Sequence, residues 1–472
     1  MAQASTVDQG LVAIYKNFYI DGVENLLFRN DPVVKMMKKE RVTGGTVNFA
    51  ALSGRGGAVS GNYQAAIALA TTTAQDVQFA VPPGKIFGCF IVTKLEKLAS
   101  ANLRGAFIPA AVDRMFACLE GVRKAMAACL YGSGYGELGV VYAAVAQAAT
   151  TMWVPNSCAV KLEVGMQFQV TDGSTGLPSD PLVAGGPYTV TAMSDSMATG
   201  IPAYPTGTQV TFTPGAPAAT FVAGAWVEMN GGRDTNGKPN MPTGLGMWTP
   251  GYFQRTGAAW NTYIGTAIYG VTRSANVPRL AGSYVLRPAT QSYSDTVIQG
   301  LQRMRRAGGV PDWVVINDED LLVVLQEMNA QTTYFQDINK PDAKAAENEV
   351  ERGLSRVGFQ FSSSWLKTIV DTPYCPKGYT YILDSKVIKF EAISNVEEVV
   401  NDGVPDNNPG VQNVDAARDP GEMFQFNIDD FLNVVPNTAS TEGPAELVTV
   451  SIFGNFMMKN TAHACLIDYG NY

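Results

Sequence analysis

Three stretches of the sequence hold residue types that could do chemistry. The first is Asp318-Glu319-Asp320, three carboxylates in a row before an apolar run. Paired carboxylates serve acid–base hydrolysis when their environments push their pKa values apart, and clustered ones hold metal ions. Acids in a first helical turn also answer the positive end of the helix dipole, the commoner reason to find them, and a solvated first turn offers nothing to separate their pKa values. The second is SGRGGAVSGNY, residues 53–63, where Gly56 and Gly61 have the spacing of a phosphate-binding loop. That loop needs a Lys and then a small hydroxyl after its second glycine. Asn62 and Tyr63 stand there instead, so the stretch reads as a flexible glycine tip on a long hairpin. The third is the pair GSGYGELG (132–139) and NDGVPDNNPG (401–410). The former follows a helix rather than a strand, which excludes a dinucleotide loop, and the latter lacks the spaced acids of a calcium loop.

The usual catalytic partners are scarce. One histidine, His463, lies in TAHACLIDY and reads as a packed strand residue rather than a base. The cysteines at 89, 118, 129, 158, 375 and 465 form no Cys-x-x-Cys pair. Cys118 and Cys129 share one expected helix, three turns apart, too far to bridge. They read as small buried hydrophobes of a reducing compartment. No catalytic residue, cofactor or metal is therefore expected.

The chain has 472 residues, room for several compact units, and only 16% are charged. Typical soluble domains carry about 25%. Depletion of charge marks surfaces covered by other subunits. No run of 18 apolar residues suggests a membrane span. MAQASTVDQG is neither signal nor transit peptide, so a cytoplasmic, soluble start is expected. The net charge of −8 is uneven: residues 1–150 hold 14 Lys and Arg against 10 acids, whereas 391–450 hold 12 acids and only Arg418. No basic stripe with interleaved aromatics marks a nucleic-acid binder.

These features need elements to position them. Residues 1–45 read as an arm of short helical pieces broken by Gly22 and Pro32. Residues 46–93 read as an extended hairpin, with TVNFAAL rising and VQFAVPPGKIFGCFIVT returning around the glycine tip. The clearest helix follows: Ile108, Val112, Met115, Leu119, Val122, Met126 and Cys129 recur every three or four residues, with Pro109 in the first turn and Gly132 at the end. Residues 94–154 carry this strut. Residues 155–231, rich in Gly, Pro, Thr and Ser, read as a small inserted all-β domain with strands such as LEVGMQFQV and FVAGAWVEM. Residues 232–290 connect to an α/β unit at 291–395, with a helix from Ser294, the buried strand PDWVVIN and a second helix capped by Asn317 or Asp318. Residues 396–472 return as long C-terminal strands.

That order resembles the major capsid proteins of tailed bacteriophages, an α+β fold of Hong Kong 97 type. The residues that carry the likeness are IYGVTRSANVPRLAGSYV (268–285), GGVPDWVVINDEDLLVVLQ (308–326), LKTIVDTPYCPKGYTYILDSKVIKFE (366–391) and VTVSIFGNFMMKNTAHACLIDY (448–469). The resemblance implies an N-terminal arm, an extended hairpin loop, a spine helix, and peripheral and axial domains, with 291–395 axial and the closing strands peripheral. It implies a subunit that self-assembles through hexamers and pentamers into an icosahedral head. The head would enclose DNA without sequence-specific binding, assembled in the host cytoplasm with a separate scaffolding protein, a portal and decoration proteins. The hairpin tip, Gly54, Arg55, Gly56, Gly57, Gly61 and Tyr63, would then lie on a neighbouring subunit, and the arm cations Lys35, Lys38, Lys39 and Arg41 would meet acidic partners there. Crosslinking through Lys85, Lys94 or Lys97 is not expected. The alternatives are another virion part, such as a tail or decoration protein, and an enzyme built on Asp318 and Asp320.

Overall fold

The computed structural model describes residues 31–42, 45–54, 60–70, 75–93, 110–195 (bar 143 and 147), 207–216, 221–249, 261, 264–331 (bar 289), 368–393, 427–435 and 445–469. The chain opens with a short helix, α1 (Pro32–Met36), and a strand, β1 (Lys38–Val42). Val33, Val34 and Met37 are buried in the main core. Residues 31–42 are therefore built into the body, not a free arm as expected. The sequence shows Pro32 and a few apolar residues, but not the distant surface that receives them.

A hairpin follows, in which β2 (Val47–Gly54) pairs antiparallel with β3 (Gln75–Val81). Its base is rooted by stacking: Phe49 lies 4.9 Å from Phe79, Phe79 lies 5.8 Å from Trp248, and Trp248 Nε1 donates to Phe456 O at 2.8 Å. The turn carries a helix, α2 (Tyr63–Ala70), where a bare tip was expected. The hairpin also ends at Val81. Strand β4 (Gly84–Thr93) leaves it and joins another sheet. Ile86 on β4 is buried, while Lys85, Phe87 and Cys89 face outward. The covering element is the expected strut, α3 (Ala110–Tyr131), which buries Val122, Met126 and Cys129. Gly88 permits their close approach, since a Cβ there would sit 2.6 Å from Val122 Cγ2 and 2.7 Å from Cys118 Sγ.

After α3 comes a six-stranded sheet of β5 (Glu137–Val140), β6 (Thr151–Pro155), β7 (Gln167–Val170), β8 (Tyr188–Asp195), β9 (Gly207–Thr213) and β10 (Trp226–Met229). The spatial order is β5-β10-β7-β8-β9-β6, all antiparallel. Phe168, Tyr188, Phe212 and Phe221 form its aromatic core, with centroids 5.2–5.8 Å apart. The sheet starts at Glu137, well before the expected boundary at 155, because β5 and β6 are short and their partners lie far along the chain. Its two ends meet: a Cβ on Gly232 would fall 1.9 Å from Tyr135 O, so entry and exit are adjacent.

A two-stranded ladder, β11 (Ala267–Ile268) with β12 (Val271–Thr272), leads to the α/β unit. That unit contains β13 (Ser283–Leu286), α4 (Tyr293–Arg306), β14 (Trp313–Ile316), α5 (Asp318–Gln331), β15 (Thr368–Asp371) and β16 (Tyr379–Leu383). The remaining strands are β17 (Ile388–Ile393), β18 (Asn427–Val435), β19 (Ala445–Met458) and β20 (Ala464–Asp468). Strand β19 is the spine of a five-stranded sheet: β4 pairs along one edge, while β18 and then β17 pair along the other, with β1 outside β17. Strand β20 does not stay with these long strands as expected. It lies between β13 and β16 in the mixed sheet β13-β20-β16-β14-β15 of the α/β unit. All five of its residues are buried, which suits a central strand.

Candidate functional site: the hairpin tip and the charged edges

The tip of the hairpin presents α2. Asn62 caps it, its Oδ1 accepting from Gln64 N at 2.9 Å, while Ser60 Oγ accepts from Asn62 N at 3.1 Å. Asn62 thus occupies the helix N-terminus that a phosphate would need, which closes the phosphate-loop reading. Helix α2 reads YQAAIALA and holds no charge. Tyr63 is 76% exposed and Ile67 46%. Such a helix does not stabilise its own subunit through burial, so its apolar face is available to another surface. Of the expected tip residues, Gly54 ends β2, Gly61 and Tyr63 lie at the start of α2, and Arg55, Gly56 and Gly57 lie outside the described residues. The helix was missed in the sequence although Asn62 followed by an alanine-rich run is a start signal.

Among the arm cations, the side chain of Lys38 is described, and it is exposed. Strand β1 runs parallel to β17 and sets Lys38 opposite Lys389 and Glu40 opposite Glu391. Lys38 Nζ pairs with Glu40 Oε1 at 2.8 Å, and buried Lys389 bridges Glu40 and Glu391. Hydrogen bonds from Lys38 and Lys389 hold the Glu40 carboxyl down at about 2. Lys38 is therefore engaged within its own chain. Lys35 lies on α1, and Lys39 and Arg41 on β1.

The carboxylate triplet sits at the start of α5, but Asp320 is buried rather than solvated. It accepts from Gly378 N at 2.6 Å, and burial pushes its carboxyl up to about 6. Glu319 pairs with Lys377 at 2.6 Å and accepts from Asn156 Nδ2 at 2.9 Å. Asp318 accepts from Glu319 N at 3.0 Å. Asp320 and Glu319 thus fasten α5 to the turn before β16, and Glu319 also to Asn156 beside the six-stranded sheet, while the Asp318 contact stays within the first turn. No group of three or more His, Cys, Asp or Glu among the described residues is placed to hold a metal ion. The thiols are all free; burial pushes Cys158 and Cys465 up to about 12, so neither is a ready nucleophile. His463 ends a 3-10 turn before β20, not within a strand, and its Nδ1 lies 3.3 Å from Asp384 Oδ2.

Two buried polar nodes tie the parts together. Asp31 caps α1 by accepting from Val33 N at 2.7 Å, and also accepts from Tyr131 Oη at 2.9 Å and Thr372 Oγ1 at 3.1 Å. It so joins the arm, α3 and the α/β unit. Burial raises its carboxyl above the ordinary value against these hydrogen bonds. Glu228, on β10, takes a two-pronged contact from Arg233 at 2.7 and 2.8 Å. These groups are structural.

No protein-family model and no curated protein matches the chain. Among solved structures it is similar to the Cyanophage A-1(L) capsid asymmetric unit, at 12% identity over 97% of each chain with a TM-score of 0.52. It also aligns with the capsid of an empty GTA particle, at 11% identity over 95% of this chain and 100% of that one, TM-score 0.41. A chain of Mycobacterium phage Ogopogo aligns at 9% identity over 99% and 100%, TM-score 0.39. The likeness is one of fold. The chain has the mixed helix-and-sheet capsid fold of Hong Kong 97 type.

Proposed function

We propose that the chain is a major capsid protein, the structural subunit of a tailed-phage head, and not an enzyme. The observation that carries this reading is the alignment with the cyanophage capsid chain across 97% of both chains. The exposed, uncharged α2 on a rooted hairpin agrees with it, because the helix gains burial only against a neighbouring copy. The triplet carboxylates agree as well, each being hydrogen-bonded or paired within the chain, and four of the six thiols are buried. In this reading the protein resides in the virion and is assembled in the host cytoplasm. It works with a separate scaffolding protein, a portal and decoration proteins, and encloses DNA without reading its sequence. The six-stranded sheet is an insert on the outer surface of the shell.

The test is electron microscopy and sedimentation of the expressed protein, alone and with candidate scaffolding protein, for the parent and for Tyr63→Asp/Ile67→Asp. The parent should form shells, tubes or capsomers. The double variant should stay as subunits with an unchanged unfolding curve. A parent that remains a monomer under every condition, or a double variant that assembles normally, would overturn the reading.

A further inference from the structure

A groove of about 480 Å³ opens beside β13, lined by Val277, Pro278, Ser283, Tyr284, Arg303 and Arg306 among others. One wall is the last turn of α4, and the other is the short helix Val277–Leu280 with the edge of β13. Strand β13 pairs only with β20 among the described strands, so its outer edge is open along the groove. The lining carries two guanidinium groups and no carboxylate. Arg303 donates to Tyr284 O, and nearby Arg279 donates to Ala307 O at 3.3 Å. Arg306 is exposed and has no hydrogen-bond or ion-pair partner among the described residues. Arginines in a last turn complement the helix dipole, which accounts for the cluster's position. It does not account for a cationic groove running along an open strand edge.

We infer that this groove binds the acidic segment 394–426 of a second copy of the chain. The segment carries Glu397, Glu398, Asp402, Asp406, Asp415, Asp419 and Glu422 against Arg418 alone. Its two ends are fixed at nearly one place: Ala392 stands opposite Gly454 and Asn427 opposite Ser451 on β19. The segment is therefore not needed to connect β17 to β18, and out and back it can reach roughly 50 Å. Near its start, VEEVV sets β-branched residues beside carboxylates, a composition suited to adding along a strand edge with acids on flanking arginines. Complementary charge of this kind selects partner and orientation. The inference rests on the shell reading for the presence of a second copy and names one contact between copies.

The test uses unassembled full-length subunit and a fluorescent synthetic peptide of residues 394–426, followed by anisotropy across a salt series, with an oligonucleotide titrated in parallel. The peptide should bind, and binding should weaken severalfold as salt rises. Arg306→Glu should weaken it about tenfold or more, and a peptide with Glu397 and Glu398 changed to Lys should recover binding to that variant. Arg306 has no hydrogen-bond or ion-pair partner among the described residues, so the variant should lose only the small helix-end contribution and unfold close to the parent; Arg306→Gln serves if it does not. Three results would overturn the inference: no peptide binding, equal binding to the Arg306 variants, or an oligonucleotide that displaces the peptide. Binding only to a chain whose own 394–426 is replaced by a Gly/Ser linker would also overturn it, by showing that the groove is filled from within. None of these outcomes depends on whether shells form.

Discussion

Asp31→Ala should destabilise the subunit far more than the removal of a helix cap alone. The carboxylate accepts at four points, two backbone N–H groups of α1 and the hydroxyls of Tyr131 and Thr372. Loss of the cap costs about 1 kcal/mol. The two hydroxyls are buried and would lose this acceptor, at about 1–3 kcal/mol each. The total is about 3–7 kcal/mol, read as the shift in urea unfolding of the unassembled subunit. Asp31→Asn keeps one oxygen on α1 and offers its amide to hydroxyls that can rotate to accept, so it should cost only about 1–2 kcal/mol. Tyr131→Phe should be coupled to Asp31→Ala, the double variant costing less than the separate losses added together. The pH dependence has an unusual sign for a carboxylate. Burial raises the folded value above the ordinary one, so the folded chain keeps a proton that the unfolded chain releases. The contribution is full below the ordinary carboxylate value and is lost as pH rises through the folded value. Asp31→Asn should remove that slope. A loss for Asp31→Ala no larger than about 1 kcal/mol, the worth of the cap, would refute the node argument. So would an Asp31→Asn variant as damaged as Asp31→Ala.

Two further outcomes are expected. Joining Gly136 to Gly232 through a short Gly/Ser linker should leave a soluble chain with the other sheets intact by circular dichroism. Cutting only 155–231 should aggregate, because β5 and β6 lose β10 and β9 and expose Leu138, Met152 and Val154; equal behaviour of the two deletions would remove the case for a separable sheet. Changing Lys35, Lys39 and Arg41 together to Gln, with Lys38 untouched, should slow assembly and flatten its salt dependence in light scattering, a surface ion pair being worth at most about 1 kcal/mol; an unaltered salt series would confine these cations to their own subunit.

Local pattern carried much of the fold. Val122, Met126 and Cys129 recur at helical spacing and are buried on α3, and PDWVVIN is the short buried strand β14 that its apolar run announces. What failed was long-range partnering. ACLID in β20 looks the same whether it closes the long sheet or enters the α/β unit, since a fully apolar strand does not state which edge it meets. Strands β5 and β6 have four and five residues, and their partners begin at Trp226 and Gly207. The Lys38–Glu40 pair is local, but the buried Lys389 that also grips Glu40 comes from β17, about 350 residues away. Asp320 was visible as an acid in a first turn, and its burial follows only from the approach of Gly378. Helix α2 is a local feature that the sequence does announce, through Asn62 and the alanine-rich run after it, beside the louder glycine cluster.

The registry of β4 on β19 also sets a timetable for synthesis. Lys85 faces Phe453, and Lys38 reaches its own sheet only through β17, itself held by β19. At about 5–20 residues per second, β4 waits roughly 20–75 s on the ribosome before its partner exists. Throughout that interval the nascent chain exposes a strand whose buried face includes Ile86 and whose edge is open. Neighbouring ribosomes on one message carry the same unpaired strand over overlapping intervals, so the hazard is pairing between half-made chains before any one of them can close. A chaperone that shields β4 until Met458 has emerged would raise the yield of competent subunits without touching the folded state.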